Sequence, residues 1–261
     1  MLSGISIVTG LGLAAGALLA FASKVFHVDV DKTVEEVREL LPGANCGACG
    51  YAGCDDYAAA LATREVKCNL CTPGGSAVAR QVSEYLGLPF EDVREKKVVL
   101  KCSGNYDTSE YIMDYEGPAS CKACNTFYQG RRSCSHGCLG YGDCVKVCKF
   151  GALSVDNGLV VVNRALCTGC GACVKICPNH LFQLTVDTSL VYVGCSSHDK
   201  GAFTRKICTA GCIGCMRCQK ACEYDAIVVT ENLAAIDPEK CTNCQKCVEV
   251  CPTKVIHSYV Q

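Results

Sequence analysis

The stretch Cys167-Thr168-Gly169-Cys170-Gly171-Ala172-Cys173-Val174-Lys175-Ile176-Cys177-Pro178 decides the fold of this chain. Its spacing is C-x2-C-x2-C-x3-C-P, and it returns as Cys241, Cys244, Cys247, Cys251 and Pro252. Three thiols two residues apart can face inward from one tight loop onto three corners of a cubic iron-sulfur cluster. A fourth, three residues further on, is carried off by the turn that follows and serves a neighbouring cluster. One such loop therefore implies a partner loop, and the chain holds a candidate upstream of each.

For the second loop the partner is Cys212, Cys215, Cys218 and Cys222. Crossing the fourth ligands assigns one 4Fe-4S cluster to Cys212, Cys215, Cys218 and Cys251, and another to Cys241, Cys244, Cys247 and Cys222. The segments 226–229 and 233–236 read as the hairpin between the two loops. Aligning Cys134, Cys138, Cys144 and Cys148 with Cys208, Cys212, Cys218 and Cys222 keeps every spacing, but Tyr141 then stands where Cys215 does. Cys134 is the natural substitute for the missing ligand, so Cys134, Cys138, Cys144 and Cys177 are expected to hold one cluster. Cys167, Cys170, Cys173 and Cys148 are expected to hold the other. The rival reading of the first set is a three-ligand site with a 3Fe-4S centre or nothing. A hairpin is expected over 152–162, turning at Asp156-Asn157-Gly158. Lys97 to Lys101 reads as a strand running into Cys102, and Val191 to Gly194 as one running into Cys195, which gives an internal repeat of about 90 residues.

Nearer the start, Pro42 and Gly43 end an amphipathic stretch, Val30 to Leu41, and open the loop that carries Cys46, Cys49 and Cys54. Gly47, Gly50 and Gly53 let that backbone fold tightly. Helices are expected over 52–64 and 76–86. Cys68 and Cys71 compete as fourth ligand. Cys71 is chosen because Pro73-Gly74-Gly75 gives it a rigid turn, and Cys68 is read as a buried thiol.

Twenty-six cysteines in 261 residues point to several small domains stapled by bonds other than apolar packing. Disulfides suit distant partners in secreted chains, whereas these thiols cluster around common centres. Four-cysteine zinc sites separate their C-x2-C pairs by a dozen residues or more, unlike the run from Cys167 to Cys177. Thiols gathered on iron imply a reducing compartment. With 25 Lys and Arg against 26 Asp and Glu, the chain has no basic footprint for nucleic acid. There is no G-x-G-x-x-G after a strand and no phosphate loop. His27, His136, His180, His198 and His257 are scattered and read as surface residues. Tyr51, Tyr57, Tyr141 and Tyr224 read as cover for clusters. Glu91 to Lys97 reads as a solvated face or linker.

From Leu2 to Ser23 no residue is charged, which is the length of a bilayer-crossing helix. The first cation, Lys24, follows the span. No cation precedes it as a signal peptide requires, so a retained anchor with the rest of the chain in the cytoplasm is expected.

The ordered set of an apolar N-terminal helix, the loop CGACGYAGC with its partner CTPGG, and tandem C-x2-C-x2-C-x3-C-P motifs resembles the B subunit of the Rnf family of ion-translocating ferredoxin:NAD oxidoreductase complexes. The loop alone is also similar to loops of corrinoid iron-sulfur proteins. The resemblance covers essentially the whole chain. It implies an electron-relay component without an active site of its own, in a translocase that takes electrons from soluble ferredoxin, reduces NAD and moves Na+ or H+. It also implies that flavins, the nicotinamide site and the ion path lie on partner subunits in the inner membrane. An electron-donating component of another anaerobic reductase or hydrogenase, or a metal-binding assembly protein, are the rival readings.

The expected fold is α+β: a transmembrane anchor at 1–25, a small mostly helical 4Fe-4S domain at 26–90, and dicluster ferredoxin-like modules at 91–187 and 188–261. Five clusters take twenty cysteines. Cys68, Cys102, Cys121, Cys124, Cys195 and Cys208 are left over, and a sixth cluster among them is a hypothesis.

Overall fold

The computed structural model describes residues 2–25, 31–126 and 129–260, with side chains in the first of these segments from residue 9 onward. His27 and Val30 lie outside the described residues. The first helix, α1 (Leu2–Val25), is apolar on all sides, and Leu11, Leu13, Leu18, Leu19 and Phe21 are exposed. Among the described residues no helix is long and apolar enough to cross a membrane. The expected span is therefore not met there.

Three helices build the next unit: α2 (Lys32–Leu40), α3 (Cys54–Ala62) and α4 (Gly75–Leu86). Asp31 caps α2 by accepting the Thr33 amide at 2.9 Å. Gly87, left-handed at φ 66°, ends α4. Val37, Leu41, Tyr57, Ala58, Leu61, Val82 and Leu86 pack together around Cys68 and Cys71. The charged run after α4 is tied down rather than free: Glu91 pairs with Lys67 at 2.9 Å, and the Asn69 amide donates to it.

The remainder consists of two repeats of one pattern. In the first, β1 (Lys96–Leu100) lies antiparallel to the distant β4 (Phe182–Val186) and brackets everything between them. Inside are α5 (Cys121–Thr126), α6 (Asp143–Lys146), the hairpin β2 (Leu153–Asp156) with β3 (Leu159–Val162), and α7 (Ala172–Ile176). In the second, β5 (Val191–Val193) pairs with β8 (Ile256–Ser258) around α8 (Gly201–Ile207), α9 (Arg217–Ala221), the hairpin β6 (Ile227–Thr230) with β7 (Leu233–Ile236), and α10 (Lys246–Glu249). Both hairpins turn through two left-handed residues, Asn157-Gly158 and Glu231-Asn232, the turn whose twist matches that of the flanking strands.

Each repeat has a small core in which sulfur is a main ingredient. Val98, Leu100, Leu153, Val160, Leu181 and Phe182 pack on Cys138, Cys144, Cys167 and Cys173. Val191, Val193, Ile227, Leu233, Val255 and Ile256 pack on Cys195, Cys212, Cys218 and Cys247. At about 1.5–3 kcal/mol per buried aliphatic side chain, such cores barely offset the entropy of ordering so many loops. Metal-thiolate bonds inside them are the expected remedy.

The repeats are sewn together. Glu110 N donates to Ile207 O at 2.9 Å, Thr209 N to Thr108 O at 2.9 Å, Ser103 Oγ to Gly194 O at 2.9 Å and Ser196 Oγ to Lys101 O at 2.9 Å. His257 belongs to this seam rather than to a free surface, since its ring nitrogen lies 2.6 Å from Ser103 Oγ.

Candidate iron-sulfur centres

The four cysteine loops of the repeats share one backbone conformation. In each, the residues on either side of the middle position are left-handed: Gly140 and Gly142, Gly169 and Gly171, Gly214 and Met216, Asn243 and Gln245. That alternation curls three successive side chains toward one side, and it persists around Tyr141, where the cysteine is missing. Met216, Asn243 and Gln245 adopt it without being glycine. Such strain is characteristic of functional loops.

The curled loops close on cavities. Cys148, Cys167, Cys170 and Cys173 line one. Cys212, Cys215, Cys218 and Cys251 line a second, beside Pro252, and Cys222, Cys241, Cys244 and Cys247 line a third. In each of these three cavities one lining cysteine comes from the paired loop.

The fourth cavity departs from expectation. It is lined by Cys121, Cys138, Cys144 and Cys177 with Leu100, Leu139, Val160, Leu181 and Phe182, and Cys134 is absent from it. Cys121 arrives on α5, in a segment for which the second repeat has no counterpart. Asp143 fixes that helix by accepting from Ser120 Oγ at 2.7 Å and from the Lys122 amide at 3.0 Å. Burial works against ionisation of Asp143, but those two donors and Lys146 hold its carboxyl below the usual carboxylate range. Tyr141, which stands in sequence where the missing ligand would be, packs edge-on against Tyr115 and beneath the Arg131 guanidinium and does not line this cavity. The signal that could have found Cys121 is its own C-x2-C pair with Cys124, which spacing alone did not attach to any loop.

Cys134 is found instead in a fifth cavity with Cys102, Cys195 and Cys208. In the helical unit, Cys71 lies within electrostatic reach of Cys54, Cys46 and Cys49, whereas Cys68 faces Glu91. Cys68 and Cys124 are buried, at 6% and 1% exposure, and line none of these cavities. Tyr57 is fully buried, donating to Lys67 O at 2.8 Å and stacking near Tyr51. Tyr224 is by contrast exposed.

Among the described residues no group of three or more Cys, His, Asp or Glu converges closely enough for a single metal ion. A tetrahedral zinc site with Zn–S of about 2.3 Å would draw its sulfurs to within about 4 Å of one another. The thiols here stand back around cavities of similar size, each about 320–360 Å3 including the part open to solvent. Four thiols set around a common opening, and too far apart to converge on one ion, fit a cubic cluster rather than a single metal.

Burial and then mutual repulsion push the Cys144 and Cys173 thiols up to about 12, and Cys218 and Cys247 up to about 11. Thiols so placed ionise only against a cation, which couples their deprotonation to metal binding. Backbone amides already point at sulfur, as Leu181 N does at Cys177 Sγ, 3.5 Å away.

The sets adjoin one another. Cys46 is within charge-interaction range of Cys170, Cys173 of Cys144, and Cys218 of Cys247. Lys149 Nζ donates to the carbonyls of Ala44 and Asn45, pinning the Cys46 loop to the first repeat.

Comparison with known proteins agrees with this chemistry. A family model for an Fe-S cluster matches residues 41–73, one for a 4Fe-4S binding domain matches 160–182, and one for a 4Fe-4S dicluster domain matches 211–255. Cys102, Cys121, Cys134, Cys195 and Cys208 lie outside all three matches. The chain is 44% identical over 257 residues to the B subunit of the ion-translocating oxidoreductase complex of Methanosarcina acetivorans, covering 98% of this chain and 97% of that one. It is 39% identical over 266 residues to the B subunit of the Na(+)-translocating ferredoxin:NAD(+) oxidoreductase complex of Acetobacterium woodii, covering 100% and 80%. Against the B subunit of the proton-translocating ferredoxin:NAD(+) oxidoreductase complex of Clostridium ljungdahlii it is 40% identical over 258 residues, covering 97% and 91%.

Proposed function

We propose, from the premise that this chain belongs to the B-subunit family of ion-translocating oxidoreductase complexes, that it relays electrons from reduced soluble ferredoxin toward partner subunits of such a complex. The observation that carries this is the adjacency of the thiol sets, the Cys46 set beside the Cys167 set, the Cys167 set beside the Cys138 set, and the Cys212 set beside the Cys241 set. A relay needs redox sites in series, and a set of unconnected structural metals does not.

The ligand sets read as Cys46, Cys49, Cys54 and Cys71; Cys148, Cys167, Cys170 and Cys173; Cys121, Cys138, Cys144 and Cys177; Cys212, Cys215, Cys218 and Cys251; and Cys222, Cys241, Cys244 and Cys247. The third of these revises the spacing-based set by replacing Cys134 with Cys121. A bound 4Fe-4S cluster supplies reversible one-electron storage at a potential set by hydrogen bonds and exposure. The protein supplies the rest. Amides aimed at sulfur steady the charge, and Leu100, Val160, Leu181 and Phe182 or Val229, Val255 and Ile256 keep water out. Cys215 and Cys244 are the exposed ligands, so the second repeat offers an outside redox partner its nearest approach among the described residues.

We read 1–25 as an anchor, 26–90 as a one-cluster domain and 91–187 and 188–261 as two modules, with the iron-sulfur part on the cytoplasmic side of the membrane because Lys24 follows the apolar run. In this reading flavins, the NAD site and the Na+ or H+ path belong to partner subunits.

The test is anaerobic purification of the full chain and of membranes carrying Cys170→Ser in place of the native protein. The native protein should be brown and bleach with reduced ferredoxin. The Cys170→Ser membranes should lose ferredoxin-dependent NAD reduction while retaining the complex. Colourless or zinc-only protein, or native rates in the variant, would overturn the reading.

A further inference from the structure

Cys102, Cys134, Cys195 and Cys208 have no place in any C-x2-C-x2-C-x3-C run, yet they line one cavity with Ser103, Gly104, Ser109, Gly137, Gly194 and Gly211. Its empty space, including the part open to solvent, is about 360 Å3, as at the cavity of the Cys138 set. We infer that these four thiols hold a sixth 4Fe-4S cluster at the seam between the two repeats. The inference rests on the proposed relay function, since it presumes that the other sets hold clusters.

Symmetry is the first argument. Cys102 follows β1 as Cys195 follows β5, and Cys134 precedes Cys138 by the same four residues that separate Cys208 from Cys212. Each repeat thus gives two equivalent thiols to one centre. The supporting bonds repeat as well: the Cys138 amide donates to Cys102 Sγ at 3.4 Å, and the Cys212 amide donates to Cys195. Ser197 N and Ser109 Oγ add donors to Cys195 Sγ and Cys208 Sγ, both at 3.5 Å. Sulfur that collects this many N–H and O–H donors is being prepared for negative charge.

Arg132 is the second argument, independent of the thiols. Its side chain is only 3% exposed, and its guanidinium donates to Gly104 O at 2.8 Å, Gly158 O at 2.9 Å and Ser109 Oγ at 3.2 Å. Those partners are all neutral, its Nε has none, and among the described residues no carboxylate pairs with it. A buried cation without a counter-charge is costly. Its field reaches Cys102 and Cys138, and four thiolates around an iron cluster would supply the missing anion.

Room is the third argument. A methyl group on Gly104 would strike Ser109 Oγ and crowd Arg132 Nη1, so a larger residue there would have to displace the side chains that donate to Cys208 and brace the wall. Cys134 stands within charge-interaction range of Cys102, Cys195 and Cys208, which come from both repeats. The position matters for the relay. The Cys138 set touches this centre through Cys102, and the Cys212 set touches it through Cys195, so the centre closes the gap between the modules.

The deciding variant is Cys195→Ala with Cys208→Ala in the full chain, purified anaerobically and reconstituted with iron and sulfide. Neither residue belongs to the five other sets, so a five-cluster protein would keep its iron. With six clusters the native chain binds about 24 iron atoms and the double variant about four fewer. The variant should also lose one spin-coupled signal from its dithionite-reduced EPR spectrum. Should that variant misfold, the native count still decides: about 20 iron atoms with ferredoxin-driven reduction intact would overturn the sixth site and leave the relay standing. An iron-free native chain would sink the relay itself. Stoichiometric zinc that the double variant loses, with iron unchanged, would also overturn the inference.

Discussion

The Cys138 amide donates to the Cys102 sulfur across 3.4 Å, although the two cysteines face different cavities. One peptide unit thus forms the wall between two centres. The same relationship holds between Cys212 and Cys195, so the seam is approached identically from both repeats. Arg132 stands beside this wall with only neutral hydrogen-bond partners.

That placement sets the sign of a charge effect. A positive guanidinium favours the more negative, reduced form of any cluster near it. Arg132→Gln should therefore lower the midpoint potential of the centres facing Cys102 and Cys138, on the order of 50 mV if the effective dielectric is about 20. An EPR-monitored redox titration reads this directly. Unmoved or raised potentials would show that the buried charge answers to something other than cluster anions.

Cys121 and Tyr141 make a second, reciprocal test. Cys121→Ala should strip the Cys138 set of its fourth thiol and convert that centre to a three-iron form, visible by EPR in the oxidised protein. Tyr141 keeps the left-handed neighbours Gly140 and Gly142 of a cysteine position. Tyr141→Cys placed in the Cys121→Ala background should then restore four iron atoms. Failure of Cys121→Ala to disturb the centre would return Cys134 to the set.

Which parts of this molecule were legible in its residues follows from range. The loops at Cys167 and Cys241 were legible because three ligands of each lie within seven residues, and the crossing of the fourth follows from the turn. The helical unit was legible from Pro42-Gly43, the glycine-spaced Cys46 loop and Pro73-Gly74-Gly75, and β1 and β5 from short apolar runs, whereas the caps at Asp31 and Gly87 were not read. Cys121 was not, because its partner loop is separated from it by an insertion whose path no periodicity describes. Cys134 was misplaced for a related reason: its companions Cys195 and Cys208 stand in the other repeat, and spacing within one repeat cannot weigh a site shared by two. The hairpin at Glu231-Asn232 lacks the glycine that announced Asn157-Gly158, so only its flanking strands marked it.

Tyr57 ties the first cluster unit together. Its hydroxyl donates to Lys67 O at 2.8 Å and accepts from Leu70 N at 3.4 Å, holding the segment that delivers Cys71. Tyr57→Phe removes a hydroxyl that is itself buried and takes its bonds from two partly buried backbone groups, at about 1–2 kcal/mol. The thermal midpoint of the iron-loaded protein should fall by about 3–6 °C. Iron should also leave first from the Cys46 set under a chelator. An unchanged midpoint together with uniform iron loss would show that the hydroxyl is dispensable.

Lys149 controls how that first unit meets the rest. Its ammonium donates to the carbonyls of Ala44 and Asn45 and so presses the Cys46 loop against the Cys167 loop, where Cys46 and Cys170 sense one another. Lys149→Glu replaces a donor with an anion facing two carbonyl oxygens, and the loop should swing away. Neither cluster loses a ligand, so the iron content should stay at the native value. The handover between the two centres should slow, because electron transfer weakens steeply as the sites separate. Reduction by ferredoxin followed by stopped-flow absorbance would then show a fast phase from the clusters on one side of the break and a delayed phase from those on the other. Lys149→Met, which removes the charge without adding repulsion, should fall between the two. A single phase at the native rate in Lys149→Glu would mean that the Cys46 set is not in series with the Cys167 set.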